Sequence, residues 1–352
     1  MPPDRAEARP VTLHSLGHSG AGMQTLETLA QELPGRWAWG RHRREWLARS
    51  AMLRQLQSDG FDRYAQRTEH LAELCAQAVR ACLHKAELAP GAVDAVLFAT
   101  ESFWDHDIAR FEGQIDTHIR LRHALLELLA QPGLGDVALY GNWLSACANL
   151  GTTLSVAKAL VESGQHHSVL IILGDRHLPH VSRLMRNGSS VLSDLAVAFL
   201  VDASSARGLE VGTVVSLSSH RLAAVAFAVE QHPVLYVQET RRCLRRLGEQ
   251  FRERAGFALH EADHVVVESF HPKAFALMAD ELGHRSRAAA PRCEVRVRTC
   301  WGGRSTADAR SHERAGVAAS GPVGGNDQFG GVGLVCHRVA GRMKSHLKVS
   351  SQ

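Results

Sequence analysis

At 352 residues, with 45% hydrophobic and 22% charged residues, the chain has an ordinary globular composition and the length of about two domains. Forty Lys and Arg against thirty-six Asp and Glu give a formal charge of +4, too balanced to mark a nucleic-acid binder. No apolar run approaches the ~20 residues that span a bilayer, and the opening MPPDRAEARP lacks a signal-peptide core, so a cytoplasmic protein without membrane or nucleic-acid partners is expected.

Tyr64-Ala-Gln66-Arg-Thr68 opens the first strongly periodic, helical segment. Leu71, Leu74, Cys75, Ala78, Val79, Cys82 and Leu83 recur at spacings of three and four, which predicts a helix with one buried face. It ends near Pro90-Gly91. The β-branched run from Val93 to Thr100 then predicts a strand, closed by Glu101-Ser102-Phe103. Val137 to Tyr140 reads as another strand, Ala146 to Asn149 as a turn, and Leu150 to Val161 as a helix with Leu154, Ala157, Leu160 and Val161 inward, stopped near Gly164. Val169 to Leu173 is a near-continuous apolar strand closed by Gly174-Asp175, and Val191 to Val201 contains one more. Such runs, apolar at every position, belong to strands covered on both faces.

The second half repeats the order. Tyr236-Val-Gln238-Glu-Thr240 opens a predicted helix with Cys243, Leu244, Leu247 and Phe251 on one face. A strand at His264 to Val267 follows and ends in Glu268-Ser269-Phe270. Two copies about 170 residues apart predict a duplicated α/β domain rather than a solenoid. Beyond it the charge changes: residues 284–352 hold twelve Lys/Arg and four Asp/Glu, a local +8, and end in a basic tail suited to an acidic partner.

Seven scattered cysteines (Cys75, Cys82, Cys147, Cys243, Cys293, Cys300 and Cys336) include no C-x-x-C pair, so neither a disulfide framework nor a thiolate zinc site is expected. His166-His167 and the stretch from Arg176 to His180 have no HExxH or CxxC companion, and no metal is expected there either. Cys147 stands apart, because it lies in the turn between a predicted strand and a predicted helix. A thiol just before a helix start faces unpaired backbone N–H groups and the positive end of the helix dipole. Both favour the thiolate, and the N–H groups can also receive an oxyanion. Cys147 is the candidate nucleophile for acyl transfer between thioesters.

His271 directly follows the second-half strand, at the kind of strand end where α/β sheets build sites, and is the candidate base. For a third polar member, Gly321 to Gly331 offers Asp327 and Asn326, and Asp308 in Arg304-Ser-Thr-Ala-Asp308 competes with them.

With these residues in place, the chain from about 60 to 283 resembles the thiolase-fold condensing enzymes, specifically the type III ketosynthase (β-ketoacyl-ACP synthase III) group. SACANLGTTLSVAKALVESG is similar to that family's AC-x-G-F nucleophile turn and helix, with Cys147 at the acyl-accepting position. LIILGD and LSDLAVAFLV are similar to its following strands, the latter where the family reads GDGAGA. The resemblance implies a duplicated α-β-α-β-α core, a homodimer, and an acyl-carrier protein or coenzyme A thioester as substrate with no cofactor. It implies an N-terminal half at 1–205 carrying Cys147, a C-terminal half at 206–340 carrying His271, and a basic tail at 341–352.

The sequence also departs from the family. His271-Pro272-Lys273-Ala274 stands where condensing members have His followed by Gln-Ala-Asn, and Trp301-Gly-Gly-Arg304-Ser305 lacks the Asn of H-G-N-T-S. An Asp at the third position opposes the negative charge that decarboxylation develops, but suits a Cys147-His271-Asp327 relay that deprotonates a hydroxyl, amine or thiol acceptor. In this the chain resembles offshoots of the family that transfer acyl groups in secondary metabolism, and the resemblance implies an acyltransferase of secondary-metabolite, polyketide-type biosynthesis. Two alternatives stand beside it: a decarboxylative condensing enzyme, and a non-catalytic partner of an active homologue.

Overall fold

The computed structural model describes residues 10–20, 22–29, 43–58, 61, 63–102, 117–142, 148–177, 183–184, 190–203, 208–227, 232–262, 272–283 and 331–335. The strands are β1 Thr12–His18, β2 Met23–Thr25, β3 Arg63–Ala65, β4 Ala95–Ala99, β5 Ala138–Asn142, β6 Ser168–Asp175, β7 Leu195–Asp202, β8 Leu209–Glu210, β9 Val214–Ser218 and β10 Gly331–Val335. The helices are α1 Arg43–Ser58, α2 Leu71–Ala86, α3 Thr117–Ala130, α4 Asn149–Glu162, α5 His220–Phe227, α6 Pro233–Ala255 and α7 Pro272–Glu281.

Six strands form one mixed sheet in the order β5-β4-β6-β7-β1-β8. β4 runs parallel to β5 and β6, while β7 is antiparallel to both β6 and β1. The carboxyl ends of β1, β4, β5 and β6 consequently share one edge.

Side-chain alternation explains the apolar runs. Val96, Phe98, Leu170, Ile172, Ala196, Ala198 and Leu200 face one way and pack under α2 and α3. Their neighbours Ala95, Leu97, Ala99, Val169, Ile171, Leu173, Val197, Phe199 and Val201 face the other way, against Leu150, Leu154, Ala157 and Val161 of α4. Every residue of β4, β6 and β7 is buried.

The predicted faces of α2 and α6 are those observed. All seven apolar positions from Leu71 to Leu83 are buried, as are Cys243, Leu244, Leu247 and Phe251. α2 closes on Glu87, and α6 starts with Pro233 and closes on Gly256 at φ 75, a left-handed cap suited to glycine. On α4, Leu154, Ala157 and Val161 are buried and Leu160 is half-buried against the same core.

α4 also touches β9 and β10, and α6 covers those two strands from beyond. The layers thus run helix, sheet, helix, sheet, helix. β9 and β10 pair antiparallel, Val214 with Val335 through to Ser218 with Gly331, as β1 and β7 pair in the first half. Val215 joins Leu244, Leu247, Phe251 and Leu259 in a separate core.

The two YxQxT stretches are not structural equivalents. Tyr64 and Ala65 end β3, with Gln66 to Thr68 in the connection to α2, whereas Tyr236 to Thr240 lie inside α6. The duplication resides in strand and helix order, not in those three shared letters. Asn149, read as part of a turn, is the first residue of α4. The strand expected at His264 to Val267 lies outside the described residues.

Gly17 sets how closely α2 approaches the sheet. A Cβ there would fall inside the van der Waals envelope of the Ala78 and Cys82 backbone. Gly17→Ala is expected to destabilise the protein by about 3 kcal/mol, since neither backbone can yield cheaply. Equilibrium urea unfolding measures this, and an unchanged midpoint contradicts the packing described.

Candidate functional site

Cys147 itself lies outside the described residues, as do His271, Asp327, Asn326 and Asp308. The elements that flank them are described. β5 ends at Asn142 and α4 starts at Asn149 behind the N-cap Ala148, so the strand, connection and helix predicted around Cys147 are present. Ala148 makes no side-chain cap bond, as its methyl group requires, and it is buried with Asn149. The first N–H groups of α4 have no capping side chain at its N-cap residue. His271 immediately precedes Pro272, the first residue of α7. Asp327 and Asn326 lie a few residues ahead of Gly331, where the chain enters β10 opposite Ser218, the carboxyl end of β9.

The carboxyl edge of the large sheet is built from polar groups. Asp175, the last residue of β6, is buried, and its Oδ1 accepts hydrogen bonds from Glu101 N–H at 2.7 Å and from the Thr100 and Ser102 hydroxyls, each at 3.2 Å. Ser102 Oγ in turn accepts the Arg176 N–H at 2.9 Å. These bonds tie the ends of β4 and β6 together. Burial pushes the Asp175 carboxyl up to about 7 against the opposing pull of the three donors.

Beside it, Asp194 precedes β7 and is completely buried. Arg183 meets both of its oxygens, at 2.9 and 2.8 Å, and the N–H groups of Arg67 and His177 each donate at 2.8 Å. Arg67 itself bonds Glu69 and donates to the carbonyl of Ser19 at 3.2 Å. The carboxylate therefore ties the β3–α2 connection to two points of the β6–β7 connection, and Arg67 carries the link on to the end of β1.

β5 is fixed there too. The Thr100 N–H donates to the Asn142 carbonyl at 3.4 Å, and Asn142 Nδ2 donates to Asn149 Oδ1 at 3.3 Å. Sequence reading passed over Asp175, Asp194, Arg183, Asn142 and Asn149 as site-building residues. The signal for the two acids was an Asp at the junction of a long apolar run, in LGD and LSD.

Three cysteines lie among the described residues, Cys75, Cys82 and Cys243, all buried in helix faces. Burial pushes the Cys82 thiol up to about 12, which makes it a poor nucleophile. Among the described residues no group of three His, Cys, Asp or Glu side chains is placed to hold a metal ion, and no helix is long and apolar enough to cross a membrane.

Asp175 supplies a pH-dependent stability test. Its carboxyl keeps the proton up to about 7 in the folded chain, against an ordinary value of 3.8. Between those values the unfolded chain has lost the proton and the folded chain has not, so its stabilising contribution, complete below 3.8, disappears as the pH rises to about 7. The shift corresponds to roughly 4 kcal/mol. Asp175→Asn is expected to remove this fall. Urea midpoints at pH 4.5 and 7.5 test it, and an equal fall in both proteins contradicts the assignment.

Residues 143–219 match the sequence model of the family described as 3-oxoacyl-[acyl-carrier-protein (ACP)] synthase III. That span holds Cys147, α4, β6 and β7. A search of curated protein sequences gives no match. Among solved structures, the chain is similar to 3-oxoacyl-[acyl-carrier-protein] synthase III from Aquifex aeolicus VF5, at 15% identity and TM-score 0.55 over 78% of this chain and 81% of that one. It is similar to FabH from Xanthomonas oryzae pv. oryzae KACC10331, at 15% identity and TM-score 0.57 over 78% and 82%. Cerulenin-bound OleA from Xanthomonas campestris gives 15% identity and TM-score 0.55 over 78% and 82%. The fold is the α/β, thiolase-like fold of these synthases, and the resemblance drawn from Cys147 and its flanking segments holds.

Proposed function

We propose that this thiolase-like chain is an acyltransferase that carries an acyl group on Cys147. The observation that supports this best is the match of residues 143–219 to the family of 3-oxoacyl-[acyl-carrier-protein] synthase III, over the segment where α4 starts two residues after the cysteine. The Cys147 thiolate attacks the thioester carbonyl of an acyl-carrier protein or coenzyme A donor. The tetrahedral oxyanion is held by backbone N–H groups, and its collapse expels the donor thiolate, which takes from His271 the proton that the Cys147 thiol had given up. His271 then removes the proton from a hydroxyl, amine or thiol acceptor as the acceptor attacks the acyl-Cys147 carbonyl. Cys147 leaves as the thiol, and Asp327 orients the imidazole.

The setting proposed is secondary-metabolite, polyketide-type biosynthesis in the cytoplasm. The enzyme acts as a homodimer, with Cys147 on the half at 1–205 and His271 on the half at 206–340. Its substrates bring all the chemistry needed, so no cofactor enters.

The name of the matching family, a 3-oxoacyl synthase, favours a second reading. In that reading the acceptor is a carbanion released from a malonyl thioester by loss of CO₂, and the product is a β-keto thioester. Acylated protein supplied in parallel with labelled malonyl thioester and with a panel of alcohols, amines and thiols separates the two. Transfer to a heteroatom acceptor without CO₂ release is the expected result. Release of CO₂ with a β-keto product establishes the second reading instead.

A further inference from the structure

We infer that the side-chain pair Asn142–Asn149 is a positioning element for the nucleophile, an inference that rests on the assignment of Cys147 above. The two residues bracket the connection that contains it. Asn142 is the last residue of β5 and Asn149 the first of α4, and the bond from Asn142 Nδ2 to Asn149 Oδ1 at 3.3 Å closes that connection across its base.

Each end of the clamp is anchored in turn. The Asn142 carbonyl accepts the Thr100 N–H, and the Thr100 hydroxyl donates to buried Asp175 at 3.2 Å. On the helix side, the Asn149 carbonyl accepts the Thr153 hydroxyl at 2.5 Å. A continuous chain of hydrogen bonds therefore runs from the end of β6, through the ends of β4 and β5, into the first turn of α4.

The placement of Asn149 is costly without a purpose of this kind. It is 3% exposed, on the helix turn where α4 meets the sheet core, a place that an apolar side chain would fill without desolvating an amide. Asn in a helix start usually serves as the N-cap itself, but that position belongs to Ala148, and the Asn149 amide reaches back to the strand instead. A buried polar pair of this type fixes one geometry where apolar packing permits several. Here the geometry fixed is the distance and direction from strand end to helix start, and on the reading proposed above the pair thereby positions the thiol toward the first N–H groups of α4. Asn149 and Asn142 touch neither donor nor acceptor in this scheme. They act through Cys147.

The test measures iodoacetamide alkylation of Cys147 against pH in the full-length protein, read by mass on the peptide bearing it, together with acylation at pH 7 by an acyl-coenzyme A. Asn149→Leu and Asn142→Leu are expected to raise the alkylation midpoint by about one pH unit and to slow acylation about tenfold. Asn142→Asp, whose carboxylate can accept from Asn149 Nδ2, is expected to stay within about threefold of the parent rate. Asn142→Leu, at the half-buried end, keeps the test open if Asn149→Leu does not fold. Parent-like midpoints and rates in both Leu variants overturn the inference, as does an equal loss in all three. Failure of the parent protein to acquire any acyl group on Cys147 removes the functional assignment itself, before the variants are compared.

Discussion

Cys147→Ala is expected to lose acyl transfer from thioester donors by about three orders of magnitude or more, and to form no covalent adduct, because the group that accepts the carbonyl is gone. Binding of the donor should survive. Alanine removes one sulfur atom from a segment whose flanks, Asn142 and Ala148, are held by the sheet and by α4. The loss therefore falls on the chemical step rather than on donor affinity. The three described cysteines cannot substitute, since Cys75, Cys82 and Cys243 are buried in helix faces. Single-turnover measurement with a radiolabelled acyl-coenzyme A reads the effect, and undiminished transfer by the Ala variant contradicts the assignment.

Arg183→Leu is expected to destabilise the protein by about 3–5 kcal/mol, the usual cost of stranding one partner of a buried ion pair. Asp194 is fully buried, and among the described residues the variant would leave it the N–H groups of Arg67 and His177. Arg183 also donates to the carbonyls of Ala65 and Leu192 at 3.4 and 3.3 Å and lies 5.5 Å from the centre of the Tyr64 ring, so its loss reaches β3 as well. Adding Asp194→Asn should restore part of the loss, because the stranded charge is then removed. Thermal unfolding of the two variants and the parent gives the comparison. Equal stability in parent and Arg183→Leu would show that the pair contributes nothing.

What was legible in the sequence was local and periodic. The seven positions from Leu71 to Leu83 repeat at the helical period, and they are buried because one face of α2 meets the sheet. Val169 to Leu173 lacks alternation because helices cover both faces of β6. The setting of Cys147, between a strand and a helix, could likewise be read from its immediate neighbours.

What was not legible depends on contacts between distant segments. Asp175 meets residues more than seventy positions earlier, and Asp194 meets the Arg67 N–H across 127 positions. Such pairings leave no period in the sequence, only an acid at the margin of an apolar run. The YxQxT pair misled for the converse reason: a few shared letters carry no information about whether they enter a strand or a helix, and Tyr64 and Tyr236 do one each.

The most direct measurement is residue-level mapping of the acyl group after incubation with a panel of acyl thioesters, by proteolysis and mass spectrometry. One stoichiometric adduct on Cys147 is expected, released by neutral hydroxylamine as a thioester must be. An adduct carried by any other residue, or none with any donor of the panel, would contradict it.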